Sequence, residues 1–173
     1  MASWMQRTGR QLRHRIFDRD ASHALSKAAR DRIAQAIATS EAKHTGQIRV
    51  YVETALPWSY IRRDAPARER AVMEFSKQRV WDTEHNNGVL IYLLLTEHAI
   101  EIVADRAVAR LVDAQQWQHI VATLTSDLRS GLYEEALTKA IAQVSPLLER
   151  AFPRDTQGAE LAGNELPDAP IVR

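Results

Sequence analysis

A chain of 173 residues suits one domain, able to bury roughly 70% of the surface its unfolded form exposes, so no second core is required. A formal net charge of +1, with 26% charged residues, excludes a global electrostatic pull toward nucleic acid, and no nucleic-acid partner is expected. The absence of cysteine excludes disulfides, thiolate nucleophiles and cysteine-ligated metals.

The chain begins MASWMQRTGRQLRHRIFD, without the apolar segment of a secretory signal, and nothing later approaches the ~18 apolar residues of a membrane span. A soluble, cytoplasmic protein is expected. Residues 1–20 read as a basic amphipathic segment, with Met1, Met5, Leu12 and Ile16 on one side and Arg7, Arg10, Arg13 and His14 broadly opposite. Such a segment suits peripheral contact with an anionic membrane or a groove on an unknown protein partner, and equally suits packing on its own domain.

Residues 21–153 read as one α/β domain. Ser26 is placed to cap a helix in which Ala29, Ile33, Ala36 and Ile37 recur at helical spacing, and Gly46 marks its end. A strand follows at Gln47 to Thr54, where Ile48, Val50 and Val52 alternate with Arg49, Tyr51 and Glu53 in a half-exposed pattern. Pro57 to Pro66 reads as a long loop in which Trp58 covers the core edge, followed by a helix over Ala67 to Val80 that places Ala71, Val72, Phe75 and Arg79 on one face.

Val89 to Leu95 is a continuous apolar run, the pattern of a strand covered on both faces. A turn at Glu97 and His98 leads into a hairpin partner in which Ile100, Ile102 and Ala104 alternate with Glu101, Val103 and Asp105. Three helices complete the domain, near Ala107 to Val112, over Gln115 to Arg129 closed by Gly131, and from Tyr133 to a kink or stop at Pro146. The expected fold is a small mixed sheet, a βαβ unit plus a hairpin, with helices on both faces. Residues 154–173 read as a flexible polar tail.

This topology sets Asp105 and Arg106 opposite Asn86 and Asn87, with Thr45 and Gly46 along the same edge. The segment WDTEHNNG adds Asp82, Glu84 and His85. Carboxylate and amide oxygens suit a hard divalent cation, calcium or magnesium, so Asp82, Glu84 and Asp105 are candidate metal ligands, with Asn87 and Arg106 as further binding residues. An EF-hand is excluded, since Asn87 and Leu93 stand where its glycine and bidentate glutamate belong. The purely structural alternative has Asp82 or Thr83 turning the chain and Asp105 capping the next helix. No nucleotide-binding, serine-hydrolase or zinc-protease motif is present, no organic cofactor is expected, and the histidines read as scattered and mostly solvent-exposed.

The run TGQIRVYVE, then a helix, then WDTEHNNGVLIYLLL, EIVADRAV, a Trp-containing helix and a last helix ending in AFP together resemble the TPM domain family, the TLP18.3/Psb32/MOLO-1 group. The resemblance covers about Leu25 to Pro153. It implies an α/β module used in envelope or membrane-protein upkeep, with a weak acid-phosphatase activity in some members. Asp82, Asn87, Gly88 and Asp105 match the family pattern, while Ala107 stands where relatives often place glycine. The implied role is an accessory or regulatory interaction module, with a divalent-metal-assisted acid phosphatase as the alternative.

Overall fold

The computed structural model describes Arg10, residues 24–154 and residues 163–173. The basic segment expected at residues 1–20 therefore lies outside the described residues, apart from Arg10. The Arg10 guanidinium donates to Glu97 Oε1 at 2.6 Å, Asp64 Oδ1 at 2.9 Å and the Ala65 carbonyl at 2.7 Å.

Helix α1 (Lys27–Glu41) starts as its cap predicts, with Ser26 Oγ accepting the Ala29 N–H at 3.1 Å. Ala29, Ile33 and Ile37 are buried, and Leu25 just before the cap is fully enclosed. Gly46 does not end this helix. The chain leaves it at Ala42 in ordinary helical conformation, and among the described glycines the left-handed region is adopted by Gly131. Gly46 instead allows close approach, since a Cβ there would stand 3.1 Å from Leu148 Cδ2.

Four strands form one mixed sheet: β1 (Gln47–Glu53), β2 (Gly88–Leu94), β3 (Ala99–Ala104) and β4 (Ile171–Val172), in the order β3-β2-β1-β4. β1 and β2 are parallel from Gln47 opposite Gly88 to Glu53 opposite Leu94, and β2 and β3 antiparallel from Val89 opposite Ala104 to Leu94 opposite Ala99. The hairpin is closed by a single 3-10 turn at Leu95–Glu97, with His98 left-handed at φ 49°.

The connection between β1 and β2 holds α2 (Trp58–Arg62) and α3 (Ala67–Lys77), so the expected long loop contains a helical turn. Pro57, fixed at φ −55°, leads the chain into α2, and Trp58 is 57% exposed rather than covering the core edge. The buried side of α3 carries Ala67, Arg70, Ala71 and Glu74, while Val72 faces outward.

Alternation along the strands divides the interior in two. Ile48, Val50, Val52, Val89, Ile91, Leu93, Ile100 and Ile102 pack toward α1 and the two long C-terminal helices, α5 (Ala114–Arg129) and α6 (Tyr133–Ala151). Tyr51, Leu90, Tyr92, Leu94 and Val103 pack toward α2 and α3. All seven residues of β1 are buried, which corrects the half-exposed reading of Arg49, Tyr51 and Glu53.

Between β3 and α5 lies the short α4 (Arg106–Leu111), capped by Asp105. Gly131, at φ 73°, follows α5 as predicted. Helix α6 runs through Pro146 without the expected stop. Pro146 and Ala142, whose carbonyl loses its helical donor, both lie on the exposed side of the helix, so the lost bond is not a buried one.

The tail departs furthest from expectation. Residues 163–173 are docked along β1: Leu166 is buried, β4 pairs Ile171 with Tyr51 and Val172 with Val52, and Arg49 donates to the carbonyls of Pro167 and Ala169. Backbone hydrogen bonding, to which sequence periodicity is blind, holds this segment.

Candidate functional site

The start of β2 and the end of β3 meet as the hairpin register requires. The Asp105 N–H donates to the Gly88 carbonyl at 2.9 Å, the Ala107 N–H to the Asn86 carbonyl at 3.2 Å, and Arg106 Nη2 to Asn86 Oδ1 at 2.5 Å. Asn87 ties this end to β1, its Nδ2 donating to the Thr45 carbonyl at 3.0 Å, while its own N–H donates to Thr83 Oγ1 at 3.0 Å. Asn86 adopts φ 51°, a left-handed conformation that asparagine tolerates better than most residues.

Two oxygens here are incompletely used. Asp105 Oδ1 accepts the Arg106 N–H at 2.7 Å and caps α4, but Oδ2 is buried without a hydrogen-bond partner among the described residues. Asn87, fully enclosed, leaves Oδ1 in the same condition. An orphaned buried oxygen is costly and calls for an explanation such as an ion or water.

The other candidate ligands stand apart. Asp82 is exposed and ion-paired with Arg79 at 2.5 Å, and Glu84 is exposed, its backbone N–H donating to Glu165 Oε2 at 2.9 Å. Among the described residues no group of three His, Cys, Asp or Glu is arranged to hold a metal ion, so Asp82 and Glu84 do not close a three-carboxylate cluster with Asp105. His85 is likewise exposed. A cavity of about 530 Å³ runs beside β3, lined by Arg68, Glu101, Trp117 and Val121 among others, and Asn87 and Asp105 do not line it.

The same sheet end contains two buried titratable groups that the sequence reading passed over. His44 is fully enclosed, contrary to the expected exposure, with Nδ1 3.0 Å from the Gly46 carbonyl and Nε2 2.9 Å from Ser40 Oγ. A carbonyl only accepts, so Nδ1 carries the proton and, in the neutral ring, Nε2 accepts from the Ser40 hydroxyl. Burial pushes the imidazole down to about 4. Glu41 Oε1 accepts the Ile48 N–H at 2.7 Å, and burial pushes this carboxyl up to about 7 against that hydrogen bond.

At the opposite end of β1 lies a second polar group that was missed. Arg70 binds Glu53 through both carboxylate oxygens, at 2.8 and 2.5 Å, and Tyr92 donates its hydroxyl to Glu53 Oε2 at 2.7 Å. Glu74 Oε1 is 2.8 Å from Arg70 Nη2, close enough for charge attraction but not aligned for a hydrogen bond. Burial opposes the Arg70 charge, yet the bonds to Glu53 and the adjacent carboxylates hold this guanidinium above its ordinary range. Burial, reinforced by Glu53, raises Tyr51 to about 12 and raises Tyr92 as well. The available signal was Arg70 and Glu74 four residues apart on the helix that faces Glu53.

A mixed sheet between two helical layers, with an Asn-Gly strand entry facing an Asp cap, makes this an α/β domain. The TPM domain profile matches residues 19–146, and the chain belongs to that family. The solved structures include the BA42 protein of the psychrophilic bacterium Bizionia argentinensis, determined by NMR. It superimposes with a TM-score of 0.72 at 22% identity, covering 85% of this chain and 94% of that one. At that identity the likeness concerns the fold. No curated protein matches the chain.

Proposed function

We propose that this TPM domain is an accessory or regulatory interaction module, serving membrane-protein or envelope maintenance from the cytoplasm, whose Asn87–Asp105 end takes a divalent cation, calcium or magnesium. The observation that carries the cation reading is the pair of buried, unpartnered oxygens, Asn87 Oδ1 and Asp105 Oδ2, at one end of the sheet. Oxygen donors of this kind fit a hard cation, and Asp82 or Glu84 would have to swing inward to complete the shell. No described helix is long and apolar enough to cross a membrane, and the route proposed for a membrane role is a protein partner or peripheral contact by residues 1–20.

The test is melting of the full chain against increasing calcium or magnesium, beside Asp105→Asn, which keeps the capping oxygen and removes the charge. Binding to the folded state at a hundred times Kd adds about 2.7 kcal/mol. The parent should melt higher as the ion is added, with the variant indifferent. A parent melting temperature unmoved at millimolar ion would sink the cation reading.

The acid-phosphatase alternative draws support from Arg106, exposed beside Asp105 and oriented by Asn86 Oδ1. Its guanidinium suits a phosphate oxygen, and a bound cation would polarise the phosphoryl group and activate water. Turnover of a generic phosphate ester that disappears with chelator, with Asp105→Asn and with Arg106→Ala would establish it. Turnover indifferent to all three would exclude it.

A further inference from the structure

We propose that the outer edge of β1 is an acceptor groove for an extended protein segment, and that residues 163–173 are its intramolecular occupant. The inference rests on the module reading above and supplies the kind of partner such a module would take.

The groove is built to hold main chain. Gln47, 2% exposed, accepts the backbone N–H groups of Glu165 and Leu166 with one side-chain oxygen, at 2.9 and 3.1 Å. Arg49, 9% exposed, donates to the Ala169 carbonyl at 2.8 Å and to that of Pro167. Further along, the Val52 carbonyl accepts the Arg173 N–H at 2.9 Å, and the Thr54 N–H donates to the Arg173 carbonyl at 2.8 Å. These bonds all end on backbone atoms of the occupant, so they would form with any extended chain of suitable register. That is strand addition to a sheet edge, in which main-chain bonds supply affinity and alternate side chains supply selectivity.

The resident tail also states which side chains the groove selects. Leu166 is buried in the core beneath α2 and α3, and Ile171 packs half-buried against it. A partner segment therefore needs an aliphatic residue at the first position and a β-branched pair where Ile171 and Val172 lie. The tail's own grip is shallow. Its ladder is two residues long, Ile171 and Val172, extended by the Arg173 bonds to Val52 and Thr54, and Leu166 is its one buried residue among those described. Its removal would open Gln47, Arg49 and the outer β1 edge to solvent, an unpaired strand edge that an extended partner segment with the same aliphatic pattern would cover. Tethering supplies the tail at an effective concentration that a free segment must overcome.

The probe is a fluorescent synthetic peptide of residues 163–173, titrated by anisotropy into the full chain and into full-chain Leu166→Asp, which unseats the tail. The variant should bind the peptide at least about tenfold more tightly than the parent. Adding Arg49→Ala to it should lose that gain. A folded Leu166→Asp chain that binds no better than the parent overturns the proposal. Should that variant fail to fold, hydrogen exchange on the parent decides: amides of Leu166 and Thr54 should exchange at least about tenfold faster than Ile91 in the central ladder. Exchange of all three only through global unfolding would make the tail a permanent strand and overturn the groove. Neither readout involves a cation, so failure of the cation reading and failure of the groove are distinguishable.

Discussion

Gly88 has no room for a methyl group, since a Cβ would fall 2.0 Å from the Val80 carbonyl oxygen, which is backbone and can yield only if the chain moves. That contact sets the path by which the segment after α3 enters β2, and with it the position of Asn87 against Thr45 and of Asp105 against Gly88. Gly88→Ala should therefore destabilise by about 3 kcal/mol or more, at the upper end of what overpacking costs. It should also disturb the Asn87–Asp105 end before the rest of the sheet. Thermal unfolding measures the first effect, and amide chemical shifts of Asn86 to Val89 against those of β3 measure the second. A variant as stable as the parent would mean that Val80 is free to retreat. Asp105→Ala separates capping from ligand binding. Loss of the bond to the Arg106 N–H should cost about 1 kcal/mol without any ion present, whereas Asp105→Asn should cost less because it retains the acceptor.

At the scale of elements, α3 is fixed to the sheet by charge as well as by apolar contact. Arg70 lies between Glu53 on β1 and Glu74 one helical turn away, all three under 10% exposed, with the Tyr92 hydroxyl completing the set. Removing one member of a buried ion pair leaves uncompensated charge, so Arg70→Ala should destabilise by about 3–5 kcal/mol in urea denaturation. Arg70→Lys should recover part of that, because an ammonium keeps the charge but cannot reproduce the two-pronged bond. Equal losses for both would locate the value in geometry alone. This network shows where a sequence stops being readable. The apolar run from Val89 and the alternation after His98 yield β2, β3 and their pairing, and the hairpin register then places Asp105 against Gly88 and Ala107 against Asn86. Alternation in β1 reveals that its faces differ in chemistry, not that one is exposed, so the pattern of Arg49, Tyr51 and Glu53 reads as half-exposed although α3 and the tail cover them. The tail has no periodicity because its contacts are largely made by main chain. Asp82 and Glu84 follow Asp105 in residue type only: turn geometry decides where they point, and it turns them outward.

For the molecule as a whole, the junction between α1 and β1 contains two groups that pull stability in opposite directions with pH. His44 is held neutral in the fold, its value lowered from 6.5 to about 4 by burial, so the folded state binds fewer protons than the unfolded chain in that interval. Its contribution is present above pH 6.5 and is lost as pH falls toward 4, about 3 kcal/mol in all. Glu41 behaves oppositely. Burial raises it from 4.5 to about 7, so the folded state holds a proton that the unfolded chain releases. Its contribution is present below pH 4.5 and is lost as pH rises through 7, again by about 3 kcal/mol. Across the interval they share the two slopes nearly cancel, and these groups leave the parent almost flat between pH 4.5 and 6.5. Single substitutions should uncover each slope. Glu41→Gln, which keeps the acceptor for the Ile48 N–H, should become more stable as pH rises from 4.5 to 6.5, while His44→Gln should become less stable over the same range. Urea midpoints at half-unit pH steps measure both. Absolute stability will fall in His44→Gln through lost bonds to Ser40 and Gly46, so the comparison rests on slope. Two variants with parallel profiles would show that neither group titrates as its burial requires. Opposite slopes would establish Glu41 and His44 as a compensated pair at the junction of α1 and β1, their burial setting both shifts.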